Sequence, residues 1–145
     1  MLFALLSQSA MNYVMDIGRA DYLSPTFKAP PNFFINSFIP LGKIANNISF
    51  VICSAQSTTA LSAILHGKQM LCIPHSADAH ELSNRLEQKG LAYGLHRKEE
   101  IKKEIFMDLV KKIEAQTLAG CIEKYQRLFA DYDHPDLVYQ KIKAF

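Results

Sequence analysis

The chain has few of the features that assign a protein to a specialised class. It is 145 residues long, with no tryptophan and only three cysteines. No apolar run approaches the roughly 20 residues that a membrane-spanning helix needs. Lysine and arginine number 16 against 14 aspartates and glutamates, so there is no basic excess of the kind that nucleic-acid binding requires. The composition predicts a globular, cytoplasmic protein with no transmembrane segment and no nucleic-acid partner.

The cysteines do not have the paired spacing of a zinc site. Cys53 and Cys72 lie in short apolar runs, where a buried, reduced thiol is the simplest interpretation. The apolar start, MLFALLSQSA, lacks the basic region of a secretion signal, and we expect a helix of the core there. The sequence therefore predicts no metal site and no resident cofactor.

Two strand–loop–helix units follow one another between Ser49 and Gly90. The first has an apolar strand, Phe50 to Cys53, then a hydroxyl-rich loop and a helix that stops at Gly67. The second has an apolar strand, Met70 to Ile73, then a polar loop and a helix that ends at Gly90. Short apolar runs without alternation, separated by a helix of about three turns, are typical of buried parallel strands. The segment is therefore predicted to be a βαβ unit with a further helix.

The loops of these units carry the polar residues that a bound anion would contact. In open parallel sheets the ligand crevice lies beyond the carboxyl ends of the strands, where both loops fall. The N-terminus of a helix adds unpaired backbone N–H groups and a partial positive charge, which favour phosphate. The loop from Ser54 to Thr59 and the residue Asp78 are the candidates for such a site.

The remaining sequence predicts a strand on each side of a loop that contains prolines, and helices at the C-terminal end. Strands are expected at Asn12 to Ile17, Asn32 to Phe38 and in the LAYGL segment, with a helical turn from Leu41 to Asn47. The C-terminal third is expected to be helical, with a last helix starting at Asp133-His134-Pro135. One of its helices has an apolar stripe at i+4 spacing: Ile101, Ile105, Leu109 and Ile113. The fold class is α/β, with a parallel sheet and flanking helices.

The spacing of five residues resembles that of a known family. Thr59, Gly67, Pro74, Asp78 and Gly90 are placed as in the nucleotide-sugar-binding half of GT-B glycosyltransferases, the group that includes the UDP-glycosyltransferases. The NFFINSFIP segment is similar to the family's strand and Phe-x-Pro turn beside the nucleotide base. The resemblance implies a Rossmann-like, donor-binding domain spanning residues 1–145, with a first strand and glycine loop that would precede Met1.

The resemblance also implies roles for individual residues. Phe38 and Ile39 would flank the base, and Asp78 would accept hydrogen bonds from hydroxyls of the donor sugar. The diphosphate would be held by the loop residues Ser54, Ala55, Gln56, Ser57, Thr58 and Thr59.

Several positions depart from the family's pattern. Ala55 and Gln56 stand where the family has paired glycines, and Ser62 replaces a glutamate that would bind the ribose. Ala79 replaces a glutamine beside the sugar-binding aspartate. His75 lies in the same loop as Asp78 and could reach a phosphate.

These residues leave two functions open. The first is the nucleotide-sugar-binding half of a glycosyltransferase that uses a UDP-sugar and needs an acceptor-binding domain, a second subunit or self-association. No catalytic base is assigned, because in the family it belongs to the other half. The alternative is a non-catalytic remnant or interaction module that keeps the fold.

Local helix capping is a structural alternative for the same polar residues. Asp78 with Glu81 has the spacing of a capping box, and Ser57 or Thr58 could cap the preceding helix. Capping and ligand binding are compatible at Asp78.

Overall fold

A computed structural model describes residues 4, 6, 7, 9–17, 26–97 and 102–130. The chain divides into two compact units, Met1–Pro40 and Leu41–Phe145. Most of the helix predicted at the start, and all of the helix predicted after Asp133, lie outside the described residues.

The described part of the first unit contains two short parallel strands, β1 (Tyr13–Asp16) and β2 (Phe33–Asn36). Tyr13 lies opposite Phe33, and their rings stack with centroids 5.0 Å apart. The Asn32 side chain donates hydrogen bonds to the carbonyl oxygens of Leu6 (3.1 Å) and Met11 (3.0 Å). The bounds of β1 and β2 confirm the two strands predicted at 12–17 and 32–38, and each observed strand is slightly shorter than predicted.

Among its described residues, the second unit contains three parallel strands in the order β3-β4-β5 and five helices. In chain order the elements are α1 (Leu41–Ile44), a 3-10 turn (Ala45–Asn47), β3 (Phe50–Cys53), α2 (Ser57–Leu65), β4 (Gln69–Cys72), α3 (Ala77–Gln88), β5 (Ala92–Gly94), α4 (Lys103–Glu114) and α5 (Ala119–Ala130). Among the described residues, no helix is both long enough and apolar enough to cross a membrane.

Strand β4 is the centre of this unit, because all four of its residues are buried. Met70 and Cys72 belong to one apolar cluster with residues of α2, α3 and α5. Successive side chains of a strand point to opposite faces, so Gln69 and Leu71 face the other side, where α4 contacts β4. Burial on both faces explains why the strand sequence is apolar without alternation.

The α/β fold class with parallel strands is confirmed, but one predicted helix face is wrong. In α4 the buried residues are Phe106, Val110 and Ile113, while Ile105 is 41% exposed. Both sets repeat at helical spacing. Ile101 of the predicted stripe lies outside the described residues, and of its other three members only Ile113 is buried. Placing Phe106 inside buries the largest apolar side chain of that helix, which stabilises the packing more than burying Ile105 would.

Candidate functional site

A cleft of about 450 Å³ lies beyond the carboxyl ends of β3 and β4. The loop after β3 forms one wall, and the first turns of α3 form the other. Its lining residues are Ala55, Gln56, Ser57, Thr58, Asp78, Ala79 and Leu82. The edge of a parallel sheet at which two loops meet is the usual place for a ligand in α/β folds.

The N-terminus of α2 opens on this cleft without a side-chain cap. Gln56 occupies the N-cap position in an extended conformation, and its carbonyl oxygen accepts the first helical bond from the Ala60 N–H at 2.9 Å. No described side chain bonds to the first turn as a cap. Ser57 and Thr58 are the first two residues of the helix, so the predicted cap at either of them is wrong. Uncapped N–H groups and the helix dipole together favour an anion here.

Ala55 forms the sharp turn between β3 and α2. Its φ of 60° lies in the left-handed region, and its side chain is only 2% exposed. A side chain makes that conformation unfavourable by about 1 kcal/mol relative to glycine. The position where the family has glycine thus has a backbone conformation that favours glycine.

Asp78 lies across the cleft, in the first turn of α3. The Ser76 hydroxyl donates to Asp78 Oδ1 at 2.5 Å. This hydrogen bond, helped by the backbone N–H groups of Asp78 and Ala79 and by the nearby His75, lowers the pKa of the Asp78 carboxyl. The carboxylate is therefore ionised at neutral pH and is available to accept hydrogen bonds from a ligand.

The predicted capping box at Asp78 and Glu81 is not formed. The helix begins at Ala77 with Ser76 at the N-cap position, two residues earlier than a box with Asp78 at the N-cap would require. Glu81 instead pairs with Arg85, with Nε and Oε1 2.7 Å apart. Both side chains are exposed, and such a pair contributes only a few tenths of a kcal/mol.

The other predicted site residues do not line this cleft. Ser54, Thr59 and Ser62 are half-buried, and His75 is exposed beside Asp78. Phe38 and Ile39 belong to the first unit. There Phe38 is 71% exposed, and the Ile39 N–H donates to Asp16 Oδ2 at 3.0 Å. Their predicted contact with a base stays a prediction.

Leu82 lines the cleft and was missed from the sequence. Its spacing of four residues from Asp78 was the available signal, because the two positions share one face of a helix.

A histidine and carboxylate cluster near the end of β5 was also missed. His96 Nε2 lies 2.7 Å from Glu87 Oε2, and its Nδ1 lies 3.4 Å from His80 Nδ1. The other Glu87 oxygen accepts the Gly94 N–H at 2.7 Å. None of these residues lines the cleft.

No protein-family model and no curated protein sequence matches this chain. Solved structures do match it. The calicheamicin glycosyltransferase CalG4 has a TM-score of 0.84 and 19% identity, over 98% of this chain and 36% of its own. The glycosyltransferase SnogD from Streptomyces nogalater has a TM-score of 0.76 and 19% identity, over 99% and 38%. The spinosyn rhamnosyltransferase SpnG, solved with thymidine diphosphate, has a TM-score of 0.80 and 20% identity, over 97% and 39%.

The fold is one half of a GT-B glycosyltransferase fold. The resemblance seen in the sequence is therefore confirmed at the level of the fold. The chain spans less than two-fifths of the length of each of these three proteins.

Proposed function

We propose that this chain is the donor-binding half of a glycosyltransferase that transfers a sugar from a nucleoside diphosphate sugar. Transfer would need an acceptor-binding half, supplied by a further domain, a second subunit or another copy. The expected cytoplasmic location belongs to the same proposal and is tested by fractionation of expressing cells.

One observation carries the proposal. An uncapped helix N-terminus, which attracts a diphosphate, and an ionised carboxylate, which accepts sugar hydroxyls, line the same cleft. A nucleotide sugar carries its diphosphate and its sugar hydroxyls next to each other, so one ligand could contact both protein groups. The cleft volume of about 450 Å³ is also within the usual range for small-molecule sites.

The nucleoside of the donor has two candidates, uridine and thymidine. The sequence resemblance favours uridine, while one structural neighbour, SpnG, was solved with thymidine diphosphate. Calorimetric titration of the chain with UDP, thymidine diphosphate and the corresponding glucose conjugates would compare the two. Saturable binding of either nucleotide supports the proposal, and no heat or NMR shift at millimolar ligand contradicts it and favours the non-catalytic alternative.

A charge placed at the start of α2 tests the diphosphate position. In Ser57→Glu, a carboxylate would occupy the region that the diphosphate is proposed to enter. An acidic residue in the first turn stabilises a helix, so the variant should fold at least as well as the wild type. We expect diphosphate binding to fall by at least tenfold, which is about 1.4 kcal/mol. Unchanged binding would place the phosphates elsewhere.

Asp78→Asn tests the sugar contact separately. If Asp78 accepts sugar hydroxyls, the variant should bind the nucleotide sugar more weakly and the free nucleoside diphosphate as before. Glu81→Gln is the matched control, because it removes an exposed carboxylate of the same helix that does not line the cleft. Equal losses for the sugar conjugate and the free diphosphate would contradict the assignment.

Phe38→Ala tests the predicted base contact. Weaker binding of uridine and thymidine diphosphates is expected, with no effect on inorganic pyrophosphate. Binding that is the same in variant and wild type would remove Phe38 from the donor site.

A further inference from the structure

The two parallel strands that lead into the cleft end in paired cysteines. Cys53 is the last residue of β3, Cys72 is the last residue of β4, and the two are direct partners in the strand register. Their sulfur atoms lie 4.0 Å apart, and both thiols are free. Neighbouring strands are about 4.8 Å apart, within the Cα separation that a disulfide spans.

The two thiols have opposite acid–base behaviour. The S–H of Cys72 donates to the Cys53 sulfur, and this hydrogen bond, assisted by the Ala55 N–H, lowers the pKa of Cys53 to about 7 against the effect of burial. The same contact, followed by burial and by the charges of Cys53 and Glu87, raises the pKa of Cys72. At neutral pH the half-buried Cys53 is thus partly ionised, and the fully buried Cys72 keeps its proton.

A buried hydroxyl lies next to the second thiol. Ser83 is fully buried, and its hydroxyl has no hydrogen-bond partner of ordinary length among the described residues. The Ser83 hydroxyl lowers the pKa of the Cys72 thiol. A sulfur that becomes anionic at Cys72 would therefore gain a donor that is not already used.

We propose that Cys53 and Cys72 form an oxidation site for peroxides, with Cys53 as the reacting thiolate and Cys72 as the thiol that closes a disulfide. This goes beyond the proposed function and does not depend on it. The half-buried sulfur meets the oxidant first, and its partner is already within reach.

The reaction has two steps. The Cys53 thiolate attacks one peroxide oxygen, the O–O bond breaks, and with one proton the products are a sulfenic acid and an alcohol or water. The Cys72 sulfur then attacks the sulfenic sulfur, the S–O bond breaks, and the departing hydroxide takes the Cys72 proton to form water. In total, two thiols and one peroxide give a disulfide, one alcohol or water, and one further water.

The first step prepares the second. The negative Cys53 sulfur is the main reason that the Cys72 proton is held tightly. Conversion of the Cys53 thiolate to a protonated sulfenic acid removes this restraint. The Ser83 hydroxyl remains beside Cys72 to stabilise the attacking sulfur.

Disulfide formation would also change the cleft. The sulfur atoms must approach from 4.0 Å to about 2.05 Å. The Ala55 N–H, which donates to the Cys53 thiolate, then loses its anionic acceptor. Since Ala55 lines the cleft, oxidation should alter the loop that leads into α2.

Peroxide titration of the full chain, followed by alkylation and peptide mass spectrometry, tests the proposal. We expect a Cys53–Cys72 disulfide, seen as the loss of two hydrogen atoms in a linked peptide, which a reductant reverses. Cys121 is an exposed internal control and should remain open to alkylation at the same peroxide dose. The proposal is overturned if Cys53 and Cys72 both stay reduced at a dose that oxidises Cys121.

Two variants keep the test independent of folding failures. In Cys72→Ser, Cys53 should still be oxidised but should stop at the sulfenic acid or proceed to the sulfinic acid. In Cys53→Ser, Cys72 should stay reduced, since no thiolate remains to react. Oxidation of Cys72 in that variant would contradict the assigned order.

The rate of alkylation at Cys53 gives a second measurement. With the pKa of Cys53 at about 7, iodoacetamide should react about tenfold faster at pH 8 than at pH 6. Cys72→Ser replaces the S–H donor with an O–H donor and should keep most of this reactivity, whereas Cys72→Ala should move the midpoint to higher pH. The same midpoint in the wild type and in Cys72→Ala would refute the role of the pair.

Discussion

Gln69 offers the sharpest test of how the helical C-terminal third is fixed to the sheet. The side chain is 2% exposed at the start of β4, yet it is polar. Its Nε2 donates to the Ile113 carbonyl oxygen (3.1 Å) and to Gln116 Oε1 (2.9 Å), and its Oε1 accepts the Leu118 N–H (3.2 Å). One amide therefore ties β4 to the turn between α4 and α5.

Gln69→Leu keeps the approximate volume and removes all three bonds. The Leu118 N–H loses its acceptor, which costs about 1–3 kcal/mol, and the lost bond to Ile113 adds about 1 kcal/mol. Gln116 is exposed and can bond to water instead. The added apolar burial of leucine recovers about 1 kcal/mol. The net expectation is a loss of about 2 kcal/mol in the free energy of unfolding.

Urea denaturation followed by circular dichroism measures this loss. Gln88→Leu is the control, because Gln88 is exposed in α3 and should change stability by less than about 0.5 kcal/mol. Faster hydrogen exchange at the Leu118 amide would locate the effect. If Gln69→Leu is as stable as Gln88→Leu, the three bonds do not hold the helices, and the reasoning fails.

Three further predictions concern the turns and the first turn of α3. Ala55→Gly relieves about 1 kcal/mol of strain from the left-handed backbone. It also removes a buried methyl group and makes the unfolded chain more flexible, and both changes favour unfolding. The free energy of unfolding measured in urea should therefore change little. Ala63→Gly removes a buried methyl group within α2 and should lower the free energy of unfolding by about 2 kcal/mol. Equal losses in Ala55→Gly and Ala63→Gly would contradict the strain at Ala55. Gly90→Ala should lower the melting temperature, because the φ of Gly90 is +66° and the new Cβ would lie 2.9 Å from Cys121 Sγ. Gly120→Ala should raise it, because its new Cβ would meet no atom within 4 Å and alanine favours the helix more than glycine does. Since the folded pKa of Asp78 is lowered, its contribution to stability is present at neutral pH and lost as the pH falls below about 4. The difference in the free energy of unfolding between wild type and Asp78→Asn should therefore shrink as the pH is lowered. A difference that does not change with pH would contradict a stabilising role for the Asp78 carboxylate.

The order and type of the elements in the second unit could be predicted from the sequence, because they depend on local chemistry. The apolar strands β3 and β4 have no alternation, and this local pattern marks strands buried on both faces. Gly67 and Gly90 were expected to end their helices, and their φ values of 68° and 66° confirm that they have left-handed backbones. Asp78 could be placed on the ligand side because parallel strands have their carboxyl ends at one edge.

Only the tertiary structure decided which side chains meet. Gln69 and Leu118 are 49 residues apart in sequence, and the thiols of Cys53 and Cys72 pair only because of the register of two strands. The buried face of α4 depended on the shape of the surface that it covers, so Phe106 could not be preferred over Ile105 in advance. Local patterns fix backbone conformation through sterics and periodicity, whereas long-range contacts depend on register and packing that no short segment encodes.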